Sequence, residues 1–296
     1  MTARPRRAAP DREQGMILVN VLMFVAIASG LVLLMISREE LALDRGIRSR
    51  EAARALAVAR GGEVSALVAL RRDAIDAPDS DDVSEPWARL SERGAPIEGG
   101  TFDLAISDAQ GRFNINNIRS GQAGAVVLFQ TIAHSVGVPD DKIVELIGLV
   151  RLTGPVTDLR PLRMAGIDAK VAARLERLVT ALPGQTPINL NAADPELLMI
   201  LMRDQAVVDR LVAIRKRQGF LTVKDLLDQN ATLPWGTGFQ SNTFWVRTRA
   251  TIGGTSQQTA TLIQRRPAGD SVEAVPVERW RNAAVPPGAP DFPAAN

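Results

Sequence analysis

Residues able to carry chemistry are few in this 296-residue chain. It has one histidine, His134, and neither cysteine nor tyrosine. That composition excludes thiol nucleophiles, thiolate metal sites and a disulfide framework. His134 lies within the apolar stretch Val126–Val138, where it reads as a packed or capping residue rather than a general base. Carboxylates crowd together at Asp79, Asp81, Asp82 and Glu85. Oxygen ligands suit a hard cation, but the surrounding prolines favour a solvated acidic linker. No G-x-x-x-x-G-K pattern occurs, and Gly99-Gly100 and Gly253-Gly254 read as turns. Trp235, Trp245 and Trp280 read as core or interface anchors. No enzyme and no cofactor is expected. The natural boundary near the N-terminus is Gly15–Met16, where a short polar leader meets an uncharged run.

That run, Met16 to Ile36, has 21 residues without a charge or a proline. As a helix it would be about 31 Å long, enough to cross a hydrocarbon core. Arg4, Arg6, Arg7 and Arg12 precede it, whereas Ser37-Arg-Glu-Glu40 follows. Positive flanks stay cytoplasmic, so the body is expected across the membrane. An ordinary secretory signal has a shorter apolar core and a cleavage site after it. Here the natural boundary comes before the core. The arrangement resembles a class III, prepilin-type signal. The resemblance implies cytoplasmic-side cleavage between Gly15 and Met16, N-methylation of Met16, and retention of the apolar helix on the mature chain. Most prepilins carry Glu at the fifth mature position; this chain has Asn20.

Ser37 to Ile75 continues as helix, with a kink expected at Gly61-Gly62, and Ala77 to Glu98 reads as a linker. Phe102, Leu104 and Ile106 alternate with polar residues, which is the period of a strand. Asp108-Ala-Gln-Gly111 has turn chemistry, and Arg112–Ile118 alternates again. Helical patterns follow at Gly121–Val136, Asp140–Leu152, Asp158–Met164, Asp168–Leu182, Pro195–Met202, Ala206–Gln218 and Thr222–Asp228, with Asp140, Asp168 and Thr222 as N-caps. Strand patterns return at Phe244–Ile252, Ala260–Arg265 and Val272–Arg279. The fold class is therefore α+β. A long N-terminal helix, half in the membrane and half outside, packs on an antiparallel sheet, with a large all-helical domain inserted between strands. The expected divisions are a leader at 1–15, a membrane part at 16–36, a core at 37–119 and 243–283, a helical insertion at 120–242 and a disordered tail at 284–296.

The order of motifs resembles one family, the minor pseudopilin K of the type II (general) secretion pathway. The leader, Glu85-Pro-Trp-Ala88, Pro96-Ile-Glu-Gly-Gly100 and Ile106-Ser-Asp-Ala-Gln-Gly-Arg-Phe-Asn-Ile-Asn-Asn117 carry the resemblance. Pro187-Ile-Asn-Leu-Asn-Ala-Ala193 and Ser241-Asn-Thr-Phe-Trp-Val246 complete it. This family also commonly lacks the fifth-position Glu. The resemblance implies a single-pass inner-membrane protein with a cytoplasmic N-terminus and a periplasmic body. It implies a filament-tip role and, as partners, minor pseudopilins I and J, the major pseudopilin, the prepilin peptidase and the inner-membrane secretion platform. Relatives often bind calcium through an acidic loop in the helical part. The corresponding Leu149–Asp158 has a single carboxylate, so no calcium is expected there.

Residues 187–229 suggest an alternative, a membrane-tethered periplasmic DNA receptor, because they resemble a helix–hairpin–helix module. Such modules bind phosphate through backbone N–H groups of a Gly-rich hairpin. Here the hairpin reads Met202-Arg-Asp-Gln-Ala-Val207, without glycine, and Asp204, Asp209, Asp225 and Asp228 offset the nearby cations. With a net charge of only +2, no nucleic acid partner is expected.

Overall fold

The structure, a computed structural model, describes residues 12–269, 271–286 and 288–294, with side chains from Met16 onward. The expected leader, residues 1–15, lies outside the described residues except for the backbone of its last four. The described chain falls into two compact units, one ending at Ala53 and the other beginning at Arg54.

The first unit is helical. Helix α1 (Arg12–Asp76) begins there, and every residue from Met16 to Arg50 is exposed. The large apolar side chains from Met16 to Ile36 are 47–68% exposed. No proline interrupts them, and the helix is long and apolar enough to cross a membrane. So large a bare apolar surface needs hydrocarbon or partner helices around it.

In the second unit the last part of α1 packs on a sheet. Ala55, Ala59, Ala66 and Leu70 are fully buried on one face, spaced as a helical stripe requires. Gly62 sits within this stripe. A Cβ there would lie 2.4 Å from the Phe102 ring and 3.1 Å from Thr248 Cγ2. The expected kink at Gly61-Gly62 is absent: α1 is continuous, and Gly62 instead lets the helix approach the sheet closely.

Strands β1 (Glu92–Ile97) and β2 (Gly100–Asp108) form a hairpin. The short β3 (Phe113–Asn114) follows, then a 3-10 turn over Ile115–Ser120. Helices α2 (Ala123–Ser135), α3 (Asp140–Thr153), α4 (Arg160–Met164) and α5 (Ala169–Leu178) come next. The short strands β4 (Val179–Thr180) and β5 (Ile188–Asn189) lead to α6 (Pro195–Met202), α7 (Gln205–Gln218) and α8 (Val223–Asp228). After β6 (Thr237–Gly238), three long strands close the chain: β7 (Thr243–Ile252), β8 (Thr255–Ala268) and β9 (Ser271–Arg281). The main sheet has the order β1-β2-β7-β8-β9, antiparallel throughout.

Alternation on β7 divides the core. Phe244 and Val246 join Leu104, Ile106, Ile263, Ala66, Leu70 and Trp87 on the α1 side. Trp245 joins Leu262, Ala260 and Leu182 on the other. The helices between β2 and β7 share their own apolar cluster, centred on Phe129, Ile132, Leu146, Leu162, Leu175, Leu197 and Leu211. Sheet and helices nonetheless belong to the same compact unit, so the expected boundaries at 119/120 and 242/243 do not separate two bodies.

Three further expectations are corrected. The linker 77–98 contains β1 and a 3-10 turn at Ala88–Leu90. The alternating Arg112–Ile118 is strand for only two residues, because its asparagines bind backbone elsewhere. The tail at 284–296 is packed in its described part rather than disordered. Val285 and Ala289 rest on the Trp245 cluster, and the Phe292 ring lies 4.7 Å from the Arg247 guanidinium and 4.6 Å from that of Arg249. Arg247 and Arg93 donate to the Pro290 and Pro293 carbonyls at 3.1 and 2.8 Å.

Candidate functional site

Three places bear on function: the exposed N-terminal helix, a buried polar junction, and the α6–α7 turn. On the helix, the Gly15–Met16 bond lies on regular α-helical backbone. Met16 is exposed, and Asn20 is exposed one turn further on. Among the described residues nothing is folded against Met16 or Asn20.

The junction is built from the segment expected to be a solvated acidic linker. Asp79 is exposed, but Asp81, Asp82 and Glu85 are buried. Arg265 on β8 reaches across to this segment. Its Nη2 donates to Asp73 Oδ2 of α1 at 2.6 Å, and its Nη1 pairs with Asp81 Oδ1. Its guanidinium also covers the Phe244 ring at 4.4 Å. Asp81 Oδ2 accepts from Ser241 N at 2.7 Å, and the Asp81 carbonyl accepts from Asn189 Nδ2 at 2.9 Å. Asn189 and Ser241 both donate to Asp108 Oδ2, at 2.7 and 2.6 Å. Helix, linker, sheet and helical block thus meet at one hydrogen-bonded knot.

Asp73, Asp81 and Glu85 each present a carboxylate oxygen within 4.8 Å of the others, close enough to share an ion. They do not fit one. A single guanidinium already holds two of the three, and Glu85 Oε2 accepts from Trp87 Nε1 at 2.6 Å and from Asp82 N at 3.2 Å. The buried cation at this junction is Arg265. In the stretch Leu149–Asp158, the single carboxylate, Asp158, accepts from Arg160 Nε at 2.7 Å.

Burial raises the carboxyls of this junction. Glu85 is pushed up to about 7, opposed by its hydrogen bonds from Trp87 and Asp82. Asp108 is pushed up to about 6, and Asp73 and Asp81 are also raised. The folded state therefore holds more protons than the unfolded chain between the ordinary glutamate value and about 7, and stability falls as pH rises through that window. For Glu85 alone the loss is on the order of 3 kcal/mol. Chemical denaturation of the full chain in lipid nanodiscs between pH 5 and pH 8 should show this decline, and Glu85→Gln should flatten it. An unchanged slope in that variant would remove Glu85 as its source.

The asparagines of the family motifs prove to be backbone clamps, a role that sequence reasoning missed. Asn114 Oδ1 accepts from Leu182 N at 3.1 Å while its Nδ2 donates to the Gly184 carbonyl at 3.0 Å. Asn116 grips Val156 N and O, both at 2.9 Å. Asn117 grips Thr186 N and O at 3.1 and 2.8 Å. The signal was present: several amides in a short apolar segment have no reason to be there unless each is satisfied inside.

His134 is not packed into the core. Its ring is half exposed at the end of α2, with Nε2 3.3 Å from Asp140 Oδ1. Of the tryptophans read as anchors, Trp245 is buried against Trp280, whereas Trp235 is half exposed.

The α6–α7 turn is Arg203-Asp204. Arg203 adopts φ 58°, and Asp204 caps α7 by accepting from Val207 N at 3.1 Å. Asp194 caps α6 through Glu196 N at 2.8 Å. Carboxylates therefore occupy the helix N-termini that a phosphate would need. Arg215 is turned inward onto the Leu190 and Ala193 carbonyls at 2.8 and 2.7 Å, and Lys224 pairs with Asp228 at 2.5 Å.

A long helix, bare and apolar near its start and packed on an antiparallel sheet near its end, defines a pilin-like α+β fold, and its apolar part fits a single-pass membrane anchor. No family model matches the chain. Two curated relatives match it along most of its length, both type II secretion system protein K. That of Pseudomonas aeruginosa is 25% identical over 299 residues, covering 86% of this chain and 89% of the relative. That of Klebsiella pneumoniae is 25% identical over 306 residues, covering 86% and 93%. Among solved structures, a chain of the GspK–GspI–GspJ complex from the enterotoxigenic Escherichia coli type 2 secretion system shares the fold. Its TM-score is 0.62 at 22% identity, with 80% of this chain and 99% of that one covered. These likenesses bear out the resemblance read from the motifs: along most of its length the chain is similar to type II secretion system protein K.

Proposed function

We propose that the chain is a tip subunit of the periplasmic pseudopilus that initiates its assembly and supports export of folded proteins across the outer membrane. Its role is mechanical rather than enzymatic, and it needs no cofactor. The membrane helix anchors it in the inner membrane with the N-terminus cytoplasmic and the folded unit periplasmic. Prepilin peptidase cuts before Met16, and the secretion platform then feeds the chain into a filament with the major pseudopilin.

The observation that carries the tip reading is Asn20. In pilin-like filaments the fifth-position carboxylate is thought to meet the amine of the neighbour nearer the tip; a terminal subunit has no such neighbour. The large helical block inserted in sequence between β2 and β7 supports the same end position, since a further subunit need not stack on it. The shared fold with a chain of the GspK–GspI–GspJ complex supports pseudopilins I and J as partners. Full-length chains of all three, co-expressed and extracted from membranes, should co-purify through a contact of at least about 1,000 Å². Recovery of each alone would contradict the partnership. The DNA-receptor alternative has less support, because capping carboxylates and spent cations occupy the α6–α7 region.

A further inference from the structure

A cavity of about 690 Å³ opens between the α4–α5 pair, the outer face of the sheet and the start of the C-terminal tail. Its size is that of an ordinary ligand pocket. Trp245 and Trp280, with ring centroids 5.2 Å apart at 45°, form an apolar wall. Four arginines also line it. Arg160 is held by Asp158, Arg163 by Glu176 at 2.6 and 2.8 Å, and Arg177 by Glu196 at 2.9 Å. Arg112 is different: it is half-buried, yet among the described residues it has no hydrogen bond or ion pair. Burial pulls its guanidinium below the ordinary arginine value, with Asp194 opposing from a distance. A partly desolvated cation without a partner is costly, and a carboxylate entering from outside would relieve it. Glu278 lines the same cavity, likewise without a partner among the described residues, and burial raises its carboxyl. It suits a backbone N–H donor.

We propose that this cavity binds the C-terminal residue of another polypeptide, an apolar one. Arg112 takes the chain-end carboxylate, Glu278 accepts from the last backbone N–H, and the Trp245–Trp280 wall seats the side chain. The paired arginines close the rim and add no free charge. Chain-end recognition requires a carboxylate, an N–H and an apolar group at one site, and this cavity offers a counterpart to each. The inference does not depend on the tip position proposed above.

The test uses the full chain in lipid nanodiscs and a minimal probe, N-acetyl-para-fluorophenylalanine, followed by fluorine NMR beside its C-terminal amide. The acid should bind at least about tenfold more tightly than the amide. Arg112→Gln should erase that preference while leaving the amide's affinity unchanged. Ala173→Phe, which fills the cavity from the exposed face of α5, should weaken both probes. If Arg112→Gln fails to fold, the wild-type preference and the weakening of both probes in Ala173→Phe still decide the matter. Equal binding of acid and amide, no binding of either at millimolar concentration, full preference retained in Arg112→Gln, or undiminished binding in Ala173→Phe would overturn the proposal.

Discussion

Arg265→Met is expected to destabilise the folded unit by about 3–5 kcal/mol, the usual cost of removing one member of a buried ionic network. Arg265 is 8% exposed and is the shared partner of Asp73 and Asp81, themselves 5% and 3% exposed. Without it, two carboxylates remain in an apolar setting with Glu85 beside them. The sign of the pH effect follows. Each orphaned aspartate can escape its charge only by taking a proton, so the loss should be smaller near pH 5 than near pH 8. Asp73→Asn and Asp81→Asn added to Arg265→Met should restore part of the stability, because neutral amides can be buried more cheaply than unpaired charges. Denaturant titration of the full chain in nanodiscs reads all three quantities. A loss below about 1 kcal/mol, typical of exposed pairs, would show that the junction does not tie α1 to the sheet.

Gly15→Val is expected to abolish processing while leaving membrane insertion intact. The proposed scissile bond precedes an apolar run that is exposed on α1, so insertion depends on residues the substitution does not touch. Cleavage requires close approach to the backbone at Gly15, and a branched side chain there obstructs it. Intact-mass analysis of membrane-extracted wild type should give a chain beginning at a methylated Met16. The variant should retain the leader. A wild-type N-terminus at Met1, or one beyond Ile36, would contradict prepilin-type processing.

The parts legible in the sequence are those decided locally. The apolar helix needed only 21 uncharged residues in a row. Helix α6 falls on its expected bounds, Pro195–Met202, because Asp194 and a proline at the first position mark its start. Asp168 and Thr222 cap α5 and α8 as their residue types suggest. Asp140, by contrast, is the first residue of α3 rather than its cap. What was not legible depends on distant partners. Nothing near Asp81 announces that Arg265, 184 positions away, neutralises it. Strand β1 lacks apolar alternation. Its bulge between Glu92 and Ala95 is held by Gly94 N donating to Asp103 Oδ1 at 2.9 Å. The tail's Pro/Ala composition suggested disorder, but Phe292 finds two arginines on β7. The buried junction and the asparagine clamps likewise needed the fold.

The central claim is the position of this chain in the filament. Its most direct test is a single site-specific label on the full-length protein, imaged on pseudopili assembled in cells that also produce the major pseudopilin and pseudopilins I and J. The account predicts one label per filament, at the end farthest from the inner membrane, and loss of filament initiation when the gene is deleted. Labels repeated along the shaft, with filaments still forming normally in the deletion strain, would contradict it.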